Sequence, residues 1–121
     1  MQFLCLIYTS EANNARMTEA EREANFEAYG AFTQSVIDSG HYKGGEALLS
    51  VHTARTVTRI NGPIEVTDGP FAETKEQLGG FYLLDAQDID EAVQIAARIP
   101  ATAHGRVEVR PIMVFDWASK R

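Results

Sequence analysis

Hydrophobic residues in Phe3-Leu4-Cys5-Leu6-Ile7-Tyr8 occupy both alternating faces, the pattern of a strand buried on two sides, and Ser10, Asn13 and Asn14 follow as a polar loop. Thr18 and Glu21 then stand at capping-box spacing. Behind them Phe26, Tyr29, Phe32, Thr33, Val36 and Ile37 fall on one arc of a helix that Gly40 stops. After Lys43-Gly44-Gly45, residues 47–52 and the alternating run 55–60 predict strands. Asn61-Gly62 supplies a tight turn, and residues 64–67 return. Asp68-Gly69-Pro70-Phe71 breaks that strand, and residues 72–77 are too short and too charged for more than a structured loop. Residues 81–84 are again apolar on both faces. Asp88 with Glu91 caps a second helix, in which Ile89, Ala92, Val93, Ala96 and Ile99 recur until Pro100, and residues 107–115 predict the last strand.

This order of elements predicts one α+β domain over residues 1–121. Right-handed crossovers are satisfied most simply by a ferredoxin-like split βαβ, an antiparallel sheet with both helices on one face and an extra hairpin. The strands are greasy on both faces, yet two helices cover only one. A second copy packed sheet to sheet completes the core, so a homodimer enclosing a cavity is expected. Trp117, beyond the last strand, is a candidate cover for the partner.

Composition narrows the function. Eleven Lys and Arg against seventeen Asp and Glu give a net charge of -6, which argues against nucleic acid and anionic membrane as partners. Gly80-Phe81-Tyr82 resembles the stacking aromatics of an RNA-binding sheet only superficially, because that sheet face needs covering. The sequence shows no apolar run of membrane-span length and no secretory leader, so the cytoplasm is the expected location. Cys5 is alone and inside a strand, an inert buried thiol rather than a nucleophile. The glycine pairs form neither a dinucleotide fingerprint nor a P-loop, and His41, His52 and His104 share no ligand spacing, so neither cofactor nor metal is expected.

The run from Asp68-Gly69-Pro70-Phe71 through Glu73, Lys75 and Glu76 to Gly79-Gly80-Phe81 combines a strand-ending Asp, a flexible Gly and a φ-locked Pro. Gly44-Gly45, Asn61-Gly62 and the ending Gly105-Arg106-Val107-Glu108-Val109-Arg110-Pro111 accompany it in order. Together they resemble the signature of YCII-related proteins of the DGPF type, over essentially the whole chain. The resemblance implies a ferredoxin-like protomer that dimerises into an α/β barrel with a ligand site in its cleft. It also implies a His and an Asp as candidate acid/base pair, and one relative in the wider group eliminates chloride from a chlorinated aromatic ring.

Asp68 is the signature carboxylate: a general base if burial raises its pKa, or the acceptor of an Asx turn. His52, on an alternating strand face, is its candidate catalytic partner or a hydrogen-bonded edge histidine. Gly69, Pro70, Phe71, Glu73 and Lys75 are candidate ligand contacts, with core plug for Phe71 and solvated surface turn for the charged pair as the plainer alternatives. His41, after Gly40, offsets a helix dipole, and His104 is a further candidate ligand. Arg55, Arg59, Arg106 and Arg110 bind an anion or form edge or dimer-spanning ion pairs. Two functions remain open: an acid/base enzyme that eliminates or isomerises a small cyclic or carbonyl compound, and a non-catalytic ligand sensor acting with a sigma-factor-type regulator.

Overall fold

The computed structural model describes residues 1–116; residues 117–121, and with them Trp117, lie outside the described residues. The elements in chain order are β1 (Gln2–Thr9), a short α1 (Glu11–Ala15), α2 (Glu19–Asp38), β2 (Tyr42–Ala47), a 3-10 turn (Val51–Thr53), β3 (Arg55–Thr58), β4 (Glu65–Asp68), β5 (Gln77–Asp85), α3 (Ile89–Ala96), a second 3-10 turn (Pro100–Ala103) and β6 (Arg106–Pro111). β2, β5, β1 and β6 form an antiparallel four-stranded sheet in that order, while β3 and β4 pair with each other in a separate two-stranded sheet. This is the expected ferredoxin-like α+β topology, with the hairpin inserted between β2 and β5.

Both halves of the predicted capping box form at the start of α2. The Thr18 backbone N–H donates to Glu21 at 2.9 Å, and the Glu21 N–H donates to the Thr18 hydroxyl at 3.1 Å. The helix turns Phe32 and Val36 inward and ends before Gly40, whose φ of +80° only glycine adopts without strain. On β1, Phe3, Cys5 and Ile7 face the helices and pair across the ladder with Leu84, Tyr82 and Gly80 of β5. Ile95, Ala96, Ile99 and Ala101 close this core. Each fully buried large aliphatic or aromatic side chain stabilises it by about 1.5–3 kcal/mol.

The opposite sheet face carries a half-buried apolar stripe of Leu4 beside Leu83 and Leu6 beside Phe81, which the helices do not cover. β6 borders it with Arg106, Glu108 and Arg110. Its alternating positions Val107 and Val109 turn toward the core.

Three expected boundaries shift. Of residues 47–52 only Ala47 is in a strand: β2 lies at Tyr42–Ala47, and Ser50 bends the chain away by capping the His52 N–H at 3.2 Å. The β3–β4 connection spans residues 59–64 rather than a two-residue turn. Asn61 does take positive φ (55°), but Pro63 has no N–H to close the ladder beside it. The last strand ends at Pro111 rather than residue 115, because β1 begins at Gln2. The Ile112 N–H donates to the Gln2 carbonyl at 2.9 Å, just past the last ladder pair, Phe3 with Pro111.

Candidate functional site

A cleft of about 800 Å³ lies between α2 and the helix-facing side of the sheet, open toward α1 and the loop after β2. Ile7, Gly45, Gly80 and Tyr82 line its sheet side, while Phe26, Tyr29 and Thr33 line it from α2. β2 and β5 approach closely there at two glycines. A Cβ on Gly45 would stand 2.8 Å from the Phe81 carbonyl oxygen, and one on Gly80 would stand 2.7 Å from that of Glu46.

Tyr82 organises the interior of the cleft. Its hydroxyl meets the Thr33 hydroxyl at 2.7 Å. Its ring takes the edge-to-face packing that aromatic quadrupoles favour, 5.1 Å from Phe32 and 6.4 Å from Tyr42. Burial pushes the Tyr82 phenol above its ordinary pKa; the Thr33 hydrogen bond opposes this, and Tyr42 adds to it. Burial likewise raises Tyr29, with Tyr82 adding to it and the Ala101 backbone opposing. Both phenols are therefore protonated hydrogen-bond donors at neutral pH.

Glu11, at the mouth, is the charged counterpart. Its Oε1 accepts from the Ser50 hydroxyl at 2.7 Å, and its Oε2 accepts from the Val51 backbone N–H at 3.0 Å. These two bonds hold the carboxyl below its ordinary pKa; slight burial opposes them, and the neighbouring His52 adds a smaller lowering. The Glu11 backbone N–H donates in turn to Gln77 at 2.9 Å. One residue thus joins α1, the 3-10 turn and β5. Arg22 fixes α1 from the other side, donating to the carbonyls of Met17 at 3.2 Å and Ala15 at 3.1 Å, so its cation sits against the helix C-terminus. The resulting space is mostly aromatic and apolar, with phenol donors inside, the fixed Glu11 carboxylate at the entrance, and Arg22 and Glu46 also on its lining. It suits a small cyclic molecule bearing oxygen functions.

The signature residues lie elsewhere. Asp68 ends β4 with its side chain 86% exposed, and its Oδ1 is 3.0 Å from Arg55 Nε, directly across the hairpin. Gly69 adopts φ +91°, donates its N–H to the Ala54 carbonyl and accepts from the Thr56 hydroxyl, both at 2.8 Å. Pro70 is half-buried, whereas Phe71, Glu73 and Lys75 are exposed, and none of these residues lines the cleft. His52 is exposed in the 3-10 turn, beside Glu11 rather than beside Asp68. His41 bridges α2 to α3 through Ser39, at 2.7 Å, and Glu91, at 3.3 Å. His104 alone of the three histidines borders the cleft.

Arg55, Arg106 and Arg110 form ion pairs within the chain, with Asp68, Glu76 and Glu108. Among the described residues, no group of three or more His, Cys, Asp or Glu converges as metal ligands, and no helix is long and apolar enough to cross a membrane.

Sequence reading missed Glu11, Thr33, Tyr42 and Tyr82 as site residues. Glu11 acquires its role from a partner 39 positions away and Thr33 from one 49 away, so neither has a local motif. The available signal was weaker: polar or hydroxyl-bearing residues interrupting otherwise apolar inward positions.

Similarity to known proteins agrees with this architecture. Over 93% of this chain and 94% of the other, the structure resembles a 5-chloro-2-hydroxyhydroquinone dehydrochlorinase from Burkholderia phenoliruptrix AC1100, solved in complex with 2,5-dihydroxybenzoquinone, with a TM-score of 0.56. At 16% identity, that likeness establishes the fold alone. An uncharacterised protein of Rhizobium meliloti (strain 1021) is 34% identical over 119 residues, covering 95% of this chain and 94% of the relative. Residues 1–116 match the YCII-related domain, and the chain belongs to that family.

Proposed function

We propose that this protein binds a small cyclic, oxygen-bearing molecule in the cleft between α2 and the sheet and transforms it by proton transfer, through elimination or isomerisation. The observation that carries this reading is the opposition of protonated Tyr82, paired with Thr33, to the fixed Glu11 carboxylate around one cleft of about 800 Å³. The phenols donate to a carbonyl or to an oxygen on which negative charge develops, which favours the transition state over the ground state. Glu11 accepts a hydrogen bond from a ligand hydroxyl. The structural neighbour's quinone complex supports a ligand of this size and type.

In this reading Asp68, Gly69 and Pro70 of the DGPF-type signature shape the hairpin base, while Phe71, Glu73 and Lys75 are surface residues. His52 is an exposed neighbour of Glu11, off the cleft lining. A second copy of the chain covers the Leu4, Leu6, Phe81 and Leu83 stripe, giving a dimeric barrel.

Calorimetric titration with 2,5-dihydroxybenzoquinone tests the binding step, and Tyr82→Phe and Glu11→Gln should each weaken it about 10-fold, as loss of one buried or charged hydrogen bond does. Unchanged affinity in both variants overturns the site. Saturable binding with no turnover across a panel of hydroxyquinones and cyclic ketones favours the ligand-sensing alternative.

A further inference from the structure

The β3–β4 hairpin carries apolar side chains that the described residues leave wet. Val57 and Val66 stand opposite each other and are 62% and 61% exposed. Ile60 and Ile64 are exposed around the tip, and Phe71, just past the base, is 90% exposed. All four β4 residues are exposed. A lone two-stranded hairpin is marginal in water, and a protein usually guards such edges with charge rather than paired valines. These side chains together present on the order of 500 Å² of apolar surface, as much as the ~300–600 Å² of the largest, often functional, patch on a typical monomer.

We propose that this hairpin is an arm that docks on a second copy of the chain, burying Val57, Val66, Ile60, Ile64 and Phe71. The inference rests on the two-copy reading above and extends it to a surface outside the sheet face. Charge selects the occupant. Residues 55–68 carry Arg55 and Arg59 against Glu65 and Asp68, a locally neutral surface on a chain of net charge -6. Two copies of an acidic chain repel each other over most of their surfaces and meet most favourably where the charges balance. A phosphate-bearing partner would select a basic arm, and a basic partner an acidic one.

Area agrees with this occupant. Two arms supply on the order of 1,000 Å², and adding the two sheet stripes reaches the roughly 1,200–2,000 Å² of a stable interface. The arm also roots in the turn whose Ser50 hydroxyl and Val51 N–H hold Glu11, so seating it steadies the mouth of the cleft.

Sedimentation of the full chain at micromolar concentration tests the arm. The wild type should sediment as a dimer. Val57→Thr/Val66→Thr/Phe71→Ser, which keeps β-branched residues in both strands, should weaken association at least about 10-fold and loosen 2,5-dihydroxybenzoquinone binding. Ile37→Ser, on the exposed side of α2, should leave association unchanged. If the triple variant loses the wild-type circular dichroism spectrum, Phe71→Ser alone carries the test, since that side chain contributes least to the fold.

An arm variant with the wild-type dissociation constant overturns the proposal. Leu4→Thr/Leu83→Thr reports separately on the stripe: if it dimerises like the wild type while the arm variant does not, the sheet-face reading fails and the arm stands. A monomeric wild type overturns both.

Discussion

Tyr82 and Thr33 meet hydroxyl to hydroxyl at 2.7 Å, fastening the middle of β5 to α2 across 49 positions of sequence. The same bond orients a phenol toward the cleft, so under the proposed function one hydroxyl serves both the scaffold and the ligand. Tyr82→Phe leaves the part-buried Thr33 hydroxyl unsatisfied and should lower stability by about 1–2 kcal/mol. Tyr82→Phe with Thr33→Val removes both partners and should recover much of that loss. Urea unfolding of the two variants checks this, and equal losses in both would show that the orphaned Thr33 hydroxyl carries no penalty of its own.

Glu11 makes stability depend on acidity. Its carboxyl titrates below its ordinary value in the folded chain, so the unfolded chain binds the proton more readily. The contribution is complete above the unfolded pKa, near 4.5, and disappears as pH falls through the lower folded value. Denaturation midpoints measured between neutral pH and pH 3 should fall less steeply for Glu11→Gln than for the wild type. Parallel curves would mean that the Ser50 and Val51 bonds do not favour the ionised form.

Glycine substitutions should divide by environment. Gly80→Ala forces a methyl group to within 2.7 Å of the Glu46 carbonyl oxygen and should cost roughly 1–3 kcal/mol. Gly30 lies within α2 with nothing within 4 Å of an added Cβ, and Gly30→Ala should stabilise by about 0.5–1 kcal/mol. Opposite shifts in thermal midpoint are the expected result; a neutral Gly80→Ala would show that the β2–β5 contact yields.

Cys5 is fully buried on β1, and burial pushes its thiol up to about 11. Labelling with a thiol-specific disulfide reagent should be negligible in the native protein and complete in denaturant. Its native rate should follow global unfolding, because β1 is a central strand. Rapid labelling without denaturant would contradict this burial.

Local chemistry made much of the scaffold legible. Thr18 with Glu21 marked the start of α2, Asp88 with Glu91 that of α3, and the two-faced apolar runs in β1 and β5 are the sheet's two central strands. β2 was misplaced because Tyr42-Lys43-Gly44-Gly45 has poor strand propensity. Glycine is required at position 45 by the Phe81 carbonyl, a neighbour 36 positions ahead. The site was less legible for the same reason. Asp68 is conspicuous in sequence because it precedes a glycine with positive φ, yet that geometry closes a hairpin, whereas Glu11 is inconspicuous until Ser50 is folded against it.

Glu11, Ser50 and Gln77 bound the entrance from three separate segments, all apart from the packed core of Cys5, Val36 and Leu84. Mutations at that rim need not disturb the interior. If the cleft works as proposed, natural variation there can remodel selectivity while the chassis persists, so descendants of one ancestral chain can diversify their chemistry without first having to reinvent how they fold.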